Sequence, residues 1–275
     1  MSAHFSRRLR LGPVMTAAAV FAVFVAGCST EDKSSSSSSD STSKAGTTSA
    51  SSADTPDAAS IIAESSKTTQ TLQAVHLILA VNNVPNLPVE AVNADVTNQP
   101  VGAGAAEGTA KVRTQPDAPF VEAKFVVVDK TIYAQTDPTG KYTNLGPAEK
   151  IYDPGVILDK DKGLANLIGK VQNPKVEGKE TVDGVATVKV TGTVDAAVVD
   201  PIVPKSGDGG GQLPITLYIA DVAPPTTSGT QLPSDSASPG TGPNLVKTVI
   251  KKGDGTITIS LSKWAVPVTV TKPAE

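Results

Sequence analysis

The strongest constraint on this chain is an apolar period of two. Val75, Leu77, Leu79 and Val81 alternate with Ala74, His76, Ile78 and Ala80, and Val121, Ala123, Phe125 and Val127 take one face while Glu122 and Lys124 take the other. Ala186, Val188, Val190 and Val194 likewise alternate with Thr187, Lys189, Thr191 and Thr193. Alternate residues of a strand share one side of a sheet, so each segment reads as a strand with one buried face. Further strands are predicted at 89–97, 109–114 after a Gly-rich link (102–108), 131–135, 142–147, 171–182, 213–221, 245–252 and 256–262. Asp129-Lys130, Asp183-Gly184 and Gly253-Asp254-Gly255 supply the tight turns of hairpins. The set, about ten strands closed by Trp264 and Val266–Val270, is an antiparallel meander.

A sheet with one apolar face needs a cover. Ile61 to Leu72 reads as an amphipathic helix. Asp153-Pro154 places an N-cap and a first helical proline, and Leu164, Leu167 and Ile168 continue at helical spacing to Gly169. A third helix is expected from Asp195 to Val203, disturbed by Pro201. The fold class is therefore α+β, a strongly curved antiparallel sheet with helices on one face. Aromatic residues are only 4% of the chain, so few large side chains are available to fill a deep concavity. The layers can enclose a cavity or pack solidly, and composition leaves both open.

The first segment is of another kind. Arg7, Arg8 and Arg10 precede an apolar run from Val14 to Val25, which is too short to span a bilayer, since a spanning helix needs about 20 residues, and matches a secretory signal. It ends in Val25-Ala26-Gly27-Cys28, the pattern of a signal whose cysteine is acylated and becomes residue one. Two or three acyl chains (diacylglycerol, palmitate) on Cys28 suffice for stable anchoring. The expected divisions are a signal peptide at 1–27, an acylated cysteine with a disordered Ser-rich tether at 28–58, and a folded domain at 59–275 with a long loop at 223–243. The tether spans roughly 30 Å. The expected location is the extracytoplasmic face of the cell membrane.

Composition and motifs exclude several functions. The chain carries 24 basic and 27 acidic residues, and three of the basic ones leave with the signal, so nucleic acid is not an expected partner. Cys28 is the sole cysteine, which excludes internal disulfides. His76 is the one imidazole outside the signal, on the polar side of its strand, and no Gly-x-Ser-x-Gly elbow exists, so no catalytic residue is assigned and an enzyme is not expected. Asp159-Lys160-Asp161-Lys162-Gly163 lacks the distal glutamate of a calcium loop and is better explained by helix capping. Gly207-Asp208-Gly209-Gly210-Gly211 has no following Lys-Ser/Thr and reads as a linker. No metal or other cofactor is expected.

The ordered motifs resemble a known set. The acylation site at Cys28, Phe125-Val126-Val127-Val128-Asp129 with Ile132-Tyr133, Leu145-Gly146-Pro147-Ala148, Ile151-Tyr152-Asp153-Pro154 with Leu158, Gly163-Leu164-Ala165, Leu261-Ser262-Lys263-Trp264 and Pro267-Val268-Thr269-Val270 together look like the mycobacterial LppX/LprAFG lipoprotein family. The insertion at 223–243 is most similar to its LprF branch, while Tyr218 stands where relatives often have Trp. The resemblance implies a half-barrel sheet with helices over its concave face, similar to the lipoprotein carriers LolA and LolB. It also implies a hydrophobic cavity for acylated glycolipid or triacylglycerol-like lipid. The cavity residues expected from alternation are Val121, Phe125 and Val127, with Val188 and Val190 beside them, and Leu164, Leu167 and Ile168 on the covering helix. The alternative reading is a signalling or interaction lipoprotein with a solid core, whose long loop engages a membrane sensor or lipid transporter.

Overall fold

The computed structural model describes residues 57–100, 104–115, 117–222 and 242–275. The signal peptide, Cys28, nearly all of the tether and positions 223–241 of the long loop lie outside the described residues. Helix α1 (Ala58–Gln70) leads into β1 (Ala74–Asn82), β2 (Val89–Thr97), β3 (Ala105–Val112), β4 (Val121–Val128), β5 (Thr131–Gln135) and β6 (Thr143–Pro147). Two 3-10 turns (Ala148–Lys150, Pro154–Leu158) and helix α2 (Leu164–Gly169) then cross to β7 (Gln172–Val182), β8 (Val185–Asp195), helix α3 (Ala196–Val199), β9 (Gln212–Ala220), β10 (Leu245–Lys252) and β11 (Gly255–Ser262).

Among the described residues eleven strands form one antiparallel sheet in the order β6-β5-β4-β3-β2-β1-β11-β10-β9-β8-β7. Two meanders meet at β1 and β11, where His76 pairs Ser262 and Asn82 pairs Thr256. β6 and β7 are the free edges, so the barrel stays half open. A flat sheet of this width would span roughly 48 Å at about 4.8 Å per strand. The segment 148–171 must carry the chain from one edge to the other, and it does so over the concave face. Register shifts in four of the strand pairs, two of them in β7–β8, add local bends to the twist.

The hairpin turns form as their sequences dictate. Asp129-Lys130 and Asp183-Gly184 both take positive φ at two successive positions (51° and 59°, 49° and 82°), the geometry that matches strand twist. Four expectations are corrected. β3 starts at Ala105, inside the segment read as a Gly-rich link. The helix expected from Asp153 to Gly169 is divided: Asp153 does cap, its Oδ1 accepting from Gly155 N at 2.8 Å, but only a 3-10 turn follows. Asp159 then caps no helix, as its carboxylate accepts from Asp161 N and Lys162 N in a tight turn. A Cβ on Gly163 would come within 2.4 Å of Val156 O, so only glycine permits that fold-back before α2. Helix α3 is a single turn, started by Asp195 Oδ1 on Ala197 N.

The core lies between the sheet's concave face and the helical layer. Val75, Leu77, Leu79, Val190, Leu217, Ile250, Ile257 and Ile259 supply its sheet side, and Ile61, Ile62, Leu164, Leu167 and Ile168 its helical side. α1 and α2 approach closely, with Ser66 Oγ donating to Ala165 O at 2.8 Å and Gly169 lying against the same serine. After Trp264, whose Nε1 donates to Leu245 O at 3.1 Å, the C-terminal segment makes no strand pairing. It runs as an extended strap across the outer face, where Lys272 lies 5.4 Å from the Tyr133 ring and Lys141 Nζ donates to Glu275 O at 2.7 Å. Val126 and Tyr133 point outward from the sheet, yet both are buried.

Candidate functional site

On the concave face, successive rungs cross β2, β3, β4 and β5. They run Val96–Ala106–Val127–Ile132, Ala94–Gly108–Phe125–Ala134 and Val92–Ala110–Ala123, and a last rung, Val89–Val112–Val121, reaches the sheet's end. β3 contributes Ala106, Gly108 and Ala110 to three successive rungs, so the wall carries little side-chain bulk along that strand, with Val92 on one side and Phe125 on the other. The smallness is enforced by geometry at Gly108, where a Cβ would lie 2.1 Å from Asn93 O. The result is an apolar trough.

The trough is covered at one end and open at the other. At the start of β3 the crossover presses onto the sheet backbone to backbone: a Cβ on Gly104 would sit 2.3 Å from Gly155 Cα. Toward the opposite end Val89, Val92 and Phe125 are half-buried against the core, and Val121 is 47% exposed. Tyr152 packs against the core at this crossover, and its hydroxyl donates to Ile202 O at 2.9 Å, tying the crossover to the segment after α3. Burial pushes the Tyr152 phenol well above its usual range, and the neighbouring Asp153 carboxylate adds to the effect. Among the described residues no group of three or more His, Cys, Asp or Glu could hold a metal ion.

The eight residues singled out from alternation fall into two sets. Val121, Phe125 and Val127 stand together on β4, on the trough side. Leu164, Leu167, Ile168, Val188 and Val190 join the central cluster, and no water-sized space opens beside Leu164, Leu167, Ile168 or Val190, which are wholly inaccessible. Val188 and Val190 are not beside the β4 residues: six strands lie between β4 and β8, because the crossover carries the chain to the far edge and the second meander docks through β11. Val92, Ala106, Gly108 and Ala110 were missed. Val92 and Ala110 lie in segments read as strands, and on β3 the signal is the small residues at every second position from Ala106 to Ala110, the first two of them within the stretch read as a link.

His76 is on the outer face, as its strand position requires, with Nδ1 2.8 Å from Asp95 Oδ1 and Lys263 Nζ 3.7 Å from the same oxygen. The strap partly covers this row, so the histidine is less open than a free strand position. A hollow of about 200 Å³ between them is lined by His76, Asp95, Glu107, Lys263 and the strap residues Val266 to Thr269. The sheet separates it from the trough. Among the described residues no helix is long and apolar enough to cross a membrane.

Comparison with known proteins places this geometry. The chain is 52% identical over 201 residues, 73% of its length and 72% of the relative's, to LprF of Mycobacterium bovis, which is provisionally named a diacylated glycolipid transporter. It is 35% identical over 203 residues, 73% of its length and 76% of the relative's, to the lipoarabinomannan carrier protein LprG of Mycolicibacterium smegmatis. The crystal structure of M. bovis LprF superposes with a TM-score of 0.70 at 51% identity, covering 79% of this chain and 97% of that one. Mycobacterium tuberculosis LppX shares the fold, with a TM-score of 0.52 at 24% identity, covering 78% of this chain and 97% of that one. Residues 57–270 match the family model in a single span, and the chain belongs to the LppX/LprAFG lipoprotein family.

Proposed function

We propose that this protein is a membrane-anchored carrier of acylated envelope lipids, taking their chains into the β2–β4 trough. The observation that carries the reading is the trough itself: a half-open apolar wall, with the half-buried Gly108 and Ala110 set between Val92 and Phe125, on a sheet whose outer face is largely polar. Each methylene removed from water is worth about 0.8 kcal/mol, so two chains bind with no specific polar contact to the wall. Deeper burial, reaching Leu164, Leu167, Ile168, Val188 and Val190 of the central cluster, requires the helical layer to part from the sheet. The relatives named for glycolipid transport and lipoarabinomannan carriage support an acylated glycolipid as cargo. Acylation of Cys28 would hold the domain at the extracytoplasmic face of the membrane while the tether lets it reach that surface. Family members carry names of carriers rather than of enzymes, consistent with a binding function.

The test is native mass spectrometry of the full chain made in a mycobacterial host, followed by in vitro uptake of a diacylated phosphatidylinositol mannoside. Lipid should co-purify and be taken up at one or two molecules per chain. A protein that carries none from the cell and takes up none in vitro would falsify the carrier reading.

A further inference from the structure

The sheet has two free edges, and they are unlike. β7 exposes Lys175, Glu177, Lys179 and Glu180, mixed charges of the kind that keep an edge strand in water. The margin of the first meander is apolar. β5 pairs with β4 only from Lys124 to Val128, so the start of β4 is itself a margin, and Val121 there is 47% exposed. Leu145 on β6 is 49% exposed, and Ile151, in the turn after that strand, is 52% exposed. Three of the five large apolar side chains exposed among the described residues therefore lie along one border, the lateral border of the trough. As a pairing edge this border is closed. Asn144 Oδ1 accepts from Gly146 N at 2.8 Å, Gly146 takes a φ of 95°, and Pro147 has no N–H, so a partner's strand finds no ladder to extend. Its exposed charges come as acid and lysine together, Glu122 with Lys124, Asp129 with Lys130 and Glu149 with Lys150, so it presents no net sign to a charged partner.

From this we infer that the border is a membrane-docking surface, which seats Val121, Leu145 and Ile151 in the boundary layer of a lipid bilayer by apolar insertion rather than by charge. The inference rests on the carrier reading above and gives the cargo its route. Behind the border the rungs continue inward through Ile132 and Ala134 on β5 to Val127 and Phe125 on β4, so an acyl chain leaving the bilayer meets apolar wall at each step and does not cross water. With Cys28 acylated, a tether spanning roughly 30 Å leaves the border within reach of that bilayer. The charged edge at β7 has no such use, and the asymmetry of the two edges orients the domain with its first meander toward the lipid.

The experiment reconstitutes the full acylated chain in dioleoylphosphatidylcholine vesicles that contain doxyl-labelled lipid as a quencher. A fluorophore is attached at Leu145→Cys and, as control, at Lys251→Cys, which is exposed on β10 in the second meander. The fluorophore at 145 should lose most of its emission and the one at 251 should keep it, and the difference should persist at high salt, where charges are screened beyond about 3 Å. Leu145→Ser combined with Ile151→Ser should slow lipid uptake from vesicles about twenty-fivefold, about fivefold for each half-exposed side chain, and leave uptake from detergent and Tm unchanged. Equal quenching at the two positions, or quenching at 145 that high salt removes, overturns the docking assignment. So does shielding of the fluorophore at 145 that grows with protein concentration in the absence of vesicles, which would make the border a contact between copies of the chain. A wild type that takes up lipid neither from vesicles nor from detergent sinks the carrier reading, and the quenching comparison still decides the docking surface.

Discussion

Filling the trough should abolish lipid uptake without unfolding the protein, and Ala110 is the place to do it. Ala110 sits mid-strand on β3, half-buried, with Val92 and Ala123 as its cross-strand neighbours on the concave face. Replacing it with Trp lays an indole along the floor where chains would lie, displacing roughly four methylenes at about 0.8 kcal/mol each. That loss, about 3 kcal/mol, is more than a hundredfold in affinity. Because the position is open on one side, the ring costs little strain, and stability should stay within about 1 kcal/mol, or about 4 °C in Tm for a domain of this size. Thr109→Trp is the control: one residue away, it points to the outer face, between Asn93 and Lys124. The assay is displacement of a fluorescent fatty-acyl probe, with calorimetry on the same samples. Equal effects of the two substitutions, or uptake unchanged in Ala110→Trp, would refute the placement of the chains on this wall.

Other consequences follow from the same geometry. Leu167→Ala removes a wholly buried side chain from α2 and should cost about 3 kcal/mol by cavity formation, lowering Tm by about 6–12 °C in calorimetry; a change below 1 kcal/mol would mean the helical layer is loosely packed. Tyr152→Phe leaves Ile202 O without its donor and should cost about 1–2 kcal/mol at neutral pH. The phenol's folded pKa is raised above the ordinary 10.0, so the native state holds its proton longer than the unfolded chain. Stability from this group is full below pH 10 and falls as pH rises above it; urea titrations between pH 9 and 11 should show a smaller decline for Tyr152→Phe than for wild type. Cys28→Ser is expected to move the chain from the detergent phase to the aqueous phase on phase partitioning, and retention in detergent would argue against an anchor at that residue.

What was legible in the chain is what is decided locally. Alternation at Val75–Val81 and Val121–Val127 assigns strand and face because the pleat makes every second residue a neighbour, and Asp183-Gly184 assigns a turn because few residues take positive φ. Asp153 and Asp195 cap as their type and position suggest. The pairing of β1 with β11, which separates Val190 from Phe125 by six strands, depends on a crossover whose ends are decided by edges far apart in sequence, and no period carries that information. The division of the covering helix turns on Asp159 and Gly163, where a side-chain acceptor and a missing Cβ outweigh the helical spacing of Leu164, Leu167 and Ile168. The trough shows the same limit from the other side. A strand whose first half presents Ala106 and Gly108 inward has too little apolar bulk there to announce itself, so that half reads as a link, and the same lack of bulk leaves room on the wall between Val92 and Phe125. A reading keyed to large apolar residues therefore finds the closed core first and passes over the surface that stands open.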